Sequence, residues 1–399
     1  MIRTSKHYFY KPNKNKLNKL KSFVQKYNVA TQYFVDLIWN NYVDQNLNSP
    51  NMISTKGQNI ENLSQRALKC AATQACGIVK GVLDLKKRRL YILNNKLIKD
   101  SKEYNKLKQL IDKQVINKPN VKVYCELNSI CCDIKDHHLQ LKSLGKEFGK
   151  IRLPFRFHKG SKRWSKKGKL LNSILLSEKG IDLRWEIETP KLKEKGITVG
   201  VDQGKINVVS LSNQQTKPNK HGHDLNTIQL RLSRKKKGSK GFRKEQEHRK
   251  NYVNWSINQL NFDNINKVNV EKIKDIRKGK KVNRIMSHWT YTLINSKLER
   301  KCEELGVQVS YSSCSYRSQR CSSCGFVHKL NRKGKIFSCK DCGYCDDSDI
   351  NAAKNHEIDL PHLDKNLCHL GLSNLLGFYW LESGLFDING KKRTVSYAN

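Results

Sequence analysis

The chain has 399 residues, with 77 Lys and Arg against 35 Asp and Glu, so its formal charge is +42. That length allows two or three domains, one of them with a sizeable core, and that charge argues against an ordinary enzyme of small metabolites. It sets up a field for a polyanion, and nucleic acid is the polyanion that repays many phosphate contacts through counterion release.

Residues Ile2 to Tyr10 alternate with Tyr8 and Tyr10 on one face and read as a strand, ended by Pro12 and Asn13. From Leu17 the apolar residues Leu20, Phe23, Val24, Tyr27, Ala30, Phe34, Leu37, Ile38 and Tyr42 recur at three and four, the spacing of one buried helical face. A second helix is expected from Leu63 through Leu85 into the basic run Lys86 to Arg89, and a third around Leu93 to Ile116, before Pro119. Lysines on the outer stripes fit either a solvated bundle or a clamp on a nucleic-acid backbone. Val121 to Ile134 reads as β structure, and Asn172 to Ile187 as two short strands around Lys179-Gly180.

Between these lies a basic segment, 150 to 169, with no acidic residue. Arg152, Arg156, Lys162 and Arg163 alternate there with Phe155, Phe157 and Trp164, which suits a loop that pairs with phosphates and stacks on bases. A solvated hairpin is the plainer alternative.

At Lys195-Gly196 the character changes. Ile197 to Val201 is an apolar strand that ends in Asp202 and the turn residue Gly204, and Val208 to Leu211 returns from it. This is the opening hairpin expected of an RNase H-like sheet. A charged helical stretch from Leu230 to Gln259 carries Arg234, Lys235, Lys236, Lys237 and Lys240, with Gly238 interrupting it. Val268 to Glu271 is a short strand ending in an acid, Lys272 to Arg284 a basic loop, and Ile285 to Leu305 an amphipathic helix with Trp289, Leu293, Leu298 and Leu305 inward. Val307 to Tyr311 is another strand.

The most specific signal follows. Cys321-x-x-Cys324-Gly325 and Cys339-x-x-Cys342-Gly343 are two knuckles whose thiolates suit one tetrahedral Zn2+, and four thiolates leave no position open for water, so the site is structural. Buried thiols or a disulfide pair would use the same residues, and Cys345 offers a slipped pairing. The other eight of the 13 cysteines are scattered, which fits buried small side chains in a reducing compartment. With no apolar run of spanning length and no signal peptide after Met1, an intracellular protein without a membrane partner is expected.

Asp202, Glu271 and Asp349 each stand where an apolar strand or tight loop ends in basic surroundings. Two Mg2+ ions about 4 Å apart need such shared carboxylates to hydrolyse a phosphodiester. Singly, each acid reads equally well as a surface residue or helix cap; the constellation carries the expectation.

In order, Gly200-Val-Asp202-x-Gly204, Arg234-Lys-Lys-Lys-Gly238-Ser239-Lys240, Val270-Glu271, Tyr316-Arg-Ser318-Gln319-Arg320-Cys321, the second knuckle, and Asp347-Ser-Asp349-Ile-Asn351-Ala352-Ala353-x-Asn355 closely resemble the TnpB nucleases of insertion sequences. Compact type V CRISPR effectors and the eukaryotic Fanzor proteins share this plan. The motifs span roughly Gly196 to Asn355; the preceding half matches in layout alone. The resemblance implies an α+β, bilobed protein. Residues 1–194 would form a recognition lobe, a β-barrel with a helical insert at about 14–118. Residues 195–313 and 343–359 would form a RuvC-like nuclease, interrupted by a zinc ribbon at 314–342, and 360–399 is an unassigned, packed extension. It further implies an RNA-guided, transposon-associated DNA endonuclease, with Asp202, Glu271 and Asp349 as ligands of two Mg2+ and one structural Zn2+. Its partners would be a guide RNA and target DNA bearing a short adjacent motif, with the protein monomeric. It would act in the cytoplasm of a prokaryote or phage host, or in a eukaryotic nucleus. A cleavage-inactive RNA-guided repressor and a compact CRISPR effector are the alternatives. Ser348 and Lys272 depart from the family, which usually has Arg and an acid there. Those departures bear on positioning of the scissile phosphate and leave the three acids intact.

Overall fold

A computed structural model describes residues 1–43, 54–112, 117–121, 124–135, 137–204, 206–215, 222–273, 290–361, 363, 367 and 370–393, and side chains 42, 43, 85, 86 and 102 are not described. The chain divides into two compact units, Met1–Glu188 and Thr189–Asn399. It is a mixed α/β protein.

In the first unit, β1 (Ile2–Tyr8) leads into α1 (Lys14–Ile38), which Asn13 caps through its side chain. The expected apolar stripe is the buried face: Leu20, Phe23, Val24, Tyr27, Ala30, Phe34 and Ile38 are inaccessible to solvent. Ser64 caps α2 (Gln65–Asn95), which packs on α1. The third helix differs from expectation. α2 runs on through Leu93 to Asn95, and α3 is shorter, Lys102–Asp112. Lys96 leaves helical conformation and ends α2, Asp100 with φ of +63° lies in the turn that follows, and Ser101 Oγ accepts from Tyr104 N at 3.1 Å to start the next helix.

Strands β2 (Cys125–Asn128), β3 (Cys132–Lys135), β4 (His138–Leu141) and β5 (Ile151–Pro154) follow, then α4 (Lys159–Lys167), β6 (Gly168–Ser177) and β7 (Gly180–Ile187). They form two antiparallel sheets, ordered β1-β7-β6-β2 and β3-β4-β5, around one core shared with α1 and α2. The hairpin expected around Lys179-Gly180 is present as β6 and β7.

In the second unit, β8 (Ile197–Asp202) and β9 (Ser210–Leu211) form the expected hairpin. The charged stretch is two helices, α5 (Leu225–Ser233) and α6 (Lys240–Asn258), parted around Gly238 as expected. Then come β10 (Ile265–Lys272), α7 (Tyr291–Leu305) and β11 (Gln308–Ser313). The expected basic loop and the start of its helix, Trp289 included, largely lie outside the described residues. The sheet order is β11-β10-β8-β9, with β10 parallel to both β8 and β11. Val199 and Val201 of β8 and Val268 and Val270 of β10 join one core with Ile228, Val253, Ile257, Ile294 and Leu298 of α5, α6 and α7.

The remaining strands are short: β12 (Phe326–Val327), β13 (Arg332–Lys333), β14 (Ile336–Ser338) and β15 (Cys345–Asp347). α8 (Ser348–Glu357) follows directly. In the C-terminal extension, β16 (Phe378–Leu381), β17 (Gly384–Phe386) and β18 (Lys392–Arg393) build a sheet onto β12. Phe378 and Trp380 are buried within it.

Candidate active site

A strand alternates its side chains between two faces. With Val199 and Val201 turned into the helical core, Gly200 and Asp202 face the other way. In β10, Val268 and Val270 are in the core, so Asn269 and Glu271 share that second face. The register pairs Asn269 with Gly200 and Val270 with Val201, which sets Glu271 beside Asp202. Ser312 of β11 pairs with Glu271 and extends the row.

Helix α8 covers this face, and Gly200 is why it lies so close. A Cβ at Gly200 would stand 1.9 Å from Ala353 O and 2.5 Å from Glu357 N, so only glycine admits the helix backbone. Asn269 Nδ2 donates to Glu357 O at 3.1 Å from the sheet side. Asp347 caps α8, accepting from Asp349 N at 2.8 Å and Ile350 N at 3.2 Å, and this turns Asp349 toward the strand ends.

Asp202, Glu271 and Asp349 thus line one cavity of about 500 Å3, together with Gln203, Arg332, Lys335 and His356. Asp202 keeps some solvent contact, yet surrounding protein and then the Asp349 charge push its carboxyl up to about 7. Burial, followed by Asp202, raises Glu271 well above the usual carboxylate range, partly offset by Gln203 N donating to Glu271 Oε1 at 3.0 Å. Asp349 is nearly buried and salt-bridged: Arg332 Nη2 lies 3.1 Å from Oδ1, and Lys335 Nζ binds Oδ2. Both cations come from the β13–β14 hairpin. A triplet of oxygen donors crowded until two resist ionisation is a site short of positive charge, and hard divalent cations take such ligands.

Sequence reasoning missed three residues here. Arg332 and Lys335 meet Asp349 through tertiary structure with no local motif. His356 had a signal, since it follows Asp349 by seven residues on one helix face. One ligand atom from each of Asp202, Glu271 and His356 lie within 4.8 Å of one another. Burial lowers the His356 imidazole to about 3, with Arg317 adding to the effect, so the ring is neutral at neutral pH.

The four cysteines Cys321, Cys324, Cys339 and Cys342 also converge, all within 4.8 Å. The Cys321–Cys342 and Cys324–Cys339 sulfurs are 3.7 and 3.6 Å apart. Bonds of about 2.3 Å to a tetrahedral zinc put sulfurs about 3.8 Å apart, so the spacing fits. Cys345 is exposed and bonds Ser338 Oγ at 3.5 Å, outside the cluster. The cluster is tied to α8. Asn355 Nδ2 donates to Arg320 O at 2.7 Å, Asn351 Nδ2 to the same oxygen at 2.8 Å, and Ser322 N to Asn351 Oδ1 at 3.0 Å. Ser348 is fully buried and donates to Gly334 O at 3.0 Å, in the hairpin that supplies Arg332 and Lys335.

The basic segment at 150–169 corrects an expectation. It is strand β5 and helix α4, because Ile151, Leu153 and Phe155 alternate into the core and His158 caps α4. Phe155 is buried, and Phe157 and Trp164 pack on the core, so these aromatics are not an exposed stacking platform. Arg152, Arg156, Lys162 and Arg163 do point outward; Arg156 lies over the Tyr10 ring at 3.5 Å and Arg163 over Trp164 at 4.7 Å. In the second unit, Arg234, Lys236, Lys237 and Lys240 are exposed and Lys235 half-buried at the turn into α6. A cavity of about 920 Å3 at the N-terminus of α2 adds Lys56, Gln65, Arg66, Lys69, Asn128 and Lys142.

A family model described as Cas12f1-like, TNB domain matches residues 291–356, the stretch holding the cysteines, Asp349 and His356. The CRISPR-associated endodeoxyribonuclease Cas12f1 of Sulfoacidibacillus thermotolerans is 34% identical over 146 residues, 36% of this chain and 33% of that protein. A TnpB-like protein of Aquifex aeolicus strain VF5 is 32% identical over 105 residues, 23% of this chain and 33% of that one. The sequence is similar to these two relatives over those stretches. The chain's matches span about a third of those two relatives' length. The mini-RNA-guided endonuclease CRISPR-Cas_phi3 superposes with a TM-score of 0.55 at 10% identity, over 90% of this chain and 92% of that one, a likeness of fold. No helix among the described residues is long and apolar enough to cross a membrane.

Proposed function

We propose that this protein is an RNA-guided DNA endonuclease, associated with a transposon, that hydrolyses target DNA at Asp202, Glu271 and Asp349. The observation that carries the proposal is the convergence of three acids, distant in sequence, on one desolvated cavity in a chain of charge +42. The sheet order and the acids at its strand ends support a RuvC-like, RNase H-type nuclease. Asp202, Glu271 and Asp349 would hold two Mg2+. Such ions, when bound, activate an attacking water and stabilise the leaving oxygen.

The chain's own residues do the rest. Strands β8 and β10 fix two carboxylates rigidly, and the capped start of α8 aims the third. Arg332 and Lys335 bring cationic donors to the same cavity, where they can meet a phosphate. Cys321, Cys324, Cys339 and Cys342 would hold a closed, structural Zn2+ that keeps the knuckles and their hairpin in place against α8.

The exposed Arg152, Arg156, Lys162, Arg163 and Arg234 to Lys240 would pair with phosphates of a guide RNA and its DNA heteroduplex, which a protein holds through its backbone while base pairing reads sequence. The cleft at α2 combines such cations with the side-chain amides of Gln65 and Asn128, a lining suited to a DNA motif beside the target. The test is to purify the protein from cells of its source and sequence the bound RNA. One RNA species with a variable guide end is expected; bulk ribosomal RNA would overturn the proposal.

A further inference from the structure

His356 lies two turns beyond Asp349 on the face of α8 that covers the acid row, and it lines the same cavity. It is 2% exposed, and its ligand atom lies within 4.8 Å of those of both Asp202 and Glu271. The ring has an anchor at Nδ1. His356 Nδ1 stands 2.7 Å from Ser312 Oγ, and Ser312 is the residue paired with Glu271 across β10 and β11. A hydroxyl accepting from Nδ1–H leaves the lone pair on Nε2, and an oxygen partner on one nitrogen is how proteins orient an imidazole whose other nitrogen binds a metal.

We propose that His356 is a nitrogen ligand of a divalent-cation site it shares with Asp202 and Glu271, so that one ion of the centre sits in a mixed nitrogen and oxygen shell selective for Mn2+ over Mg2+. This deepens the proposed nuclease reading and rests on it for the metal role of the two acids. Mg2+ is hard and takes oxygen almost alone, whereas Mn2+, though it also favours oxygen, is a first-row transition ion that tolerates an imidazole in its shell better than Mg2+ does. A histidine kept for packing alone would need neither carboxylate neighbours nor the bond to Ser312. Ser312 is then a positioning residue, acting on the metal through the imidazole.

The test uses untagged, zinc-replete protein without nucleic acid. Mn2+ is added and pulsed electron paramagnetic resonance is read for coupling to 14N; Mn2+ and Mg2+ affinities are measured by calorimetry for wild type, His356→Leu, Ser312→Ala and Asp202→Asn. Nitrogen coupling is expected in the wild type and its loss in His356→Leu, with Mn2+ affinity down about tenfold to a hundredfold and Mg2+ affinity changed less than about threefold. Ser312→Ala should weaken Mn2+ binding in the same direction. Bound Mn2+ with no nitrogen coupling in the wild type overturns the inference, and this readout does not depend on any variant folding. Absence of Mn2+ binding that Asp202→Asn can weaken would instead overturn the nuclease reading beneath it.

Discussion

Asp349 carries two cations on one buried carboxylate, Arg332 on Oδ1 and Lys335 on Oδ2, while among the described residues Asp202 and Glu271 beside it have no such ion pair. The positive charge beside Asp349 therefore comes from the β13–β14 hairpin, while Ser348, the first residue of α8, stands where the resemblance to TnpB nucleases leads one to expect Arg. Ser348 is buried against Gly334 O, a place where a guanidinium would not fit without moving the hairpin. Removing the ammonium by Lys335→Ala leaves Asp349 more negative. Mg2+ affinity should rise about tenfold, about 1.4 kcal/mol and well inside what one charge at this range can do, while single-turnover cleavage slows; calorimetry and a cleavage time course check both. Gly200→Ala should cost about 2–3 kcal/mol or more, because its Cβ would stand 1.9 Å from the α8 backbone. Urea denaturation measures that loss, and a stability unchanged within error would contradict the close packing of α8. The three acids were legible in the sequence because each ends an apolar strand or begins a motif. Arg332 and Lys335 were not, since two more basic residues among 77 carry no local signal; His356 offered only its seven-residue spacing from Asp349, which needs the helix to be known first.

At the scale of elements, α8 and the cysteine knuckles act as one piece. Asn351 and Asn355 on the helix are fully buried and fasten Arg320 O, one residue before Cys321. Distortion of the knuckles therefore reaches Asp349 through these bonds and through the hairpin. Cys321→Ser or Cys339→Ser should release zinc and lower the melting temperature, with cleavage falling in step; unchanged zinc by elemental analysis would count against a four-thiolate site. The extension from residue 360 belongs to the same piece, since β16 pairs with β12 of the first knuckle. That pairing was invisible in sequence because two-residue strands carry no periodicity. The helices α1 and α2 were legible, having long apolar stripes. The break between α2 and α3 was not, because a turn with a left-handed aspartate competes with a helical pattern that runs across it. The segment 150–169 misled for a related reason: its charges are conspicuous, while the alternation of Ile151, Leu153 and Phe155 that makes it a strand is short.

Across the whole molecule, a surplus of 42 positive charges sets up a field that attracts polyanions. Exposed basic residues occur on each of the two units, at α4 and at the turn into α6. Binding of RNA should accordingly fall steeply with salt, and neutralising Arg152, Arg156, Lys162 and Arg163 together should flatten the slope of log affinity against log salt by about 3. An unchanged slope would remove α4 and its flank from the interface. In the function proposed, three acids, assembled by β8, β10 and α8, hydrolyse DNA chosen by a bound RNA. Its most direct measurement is cleavage of a matched DNA by the purified protein–RNA complex in Mg2+, comparing wild type with Asp202→Ala. Cleavage is expected from the wild type and none from Asp202→Ala, with RNA retained in both; cleavage at the full rate by Asp202→Ala would rule out hydrolysis at these acids.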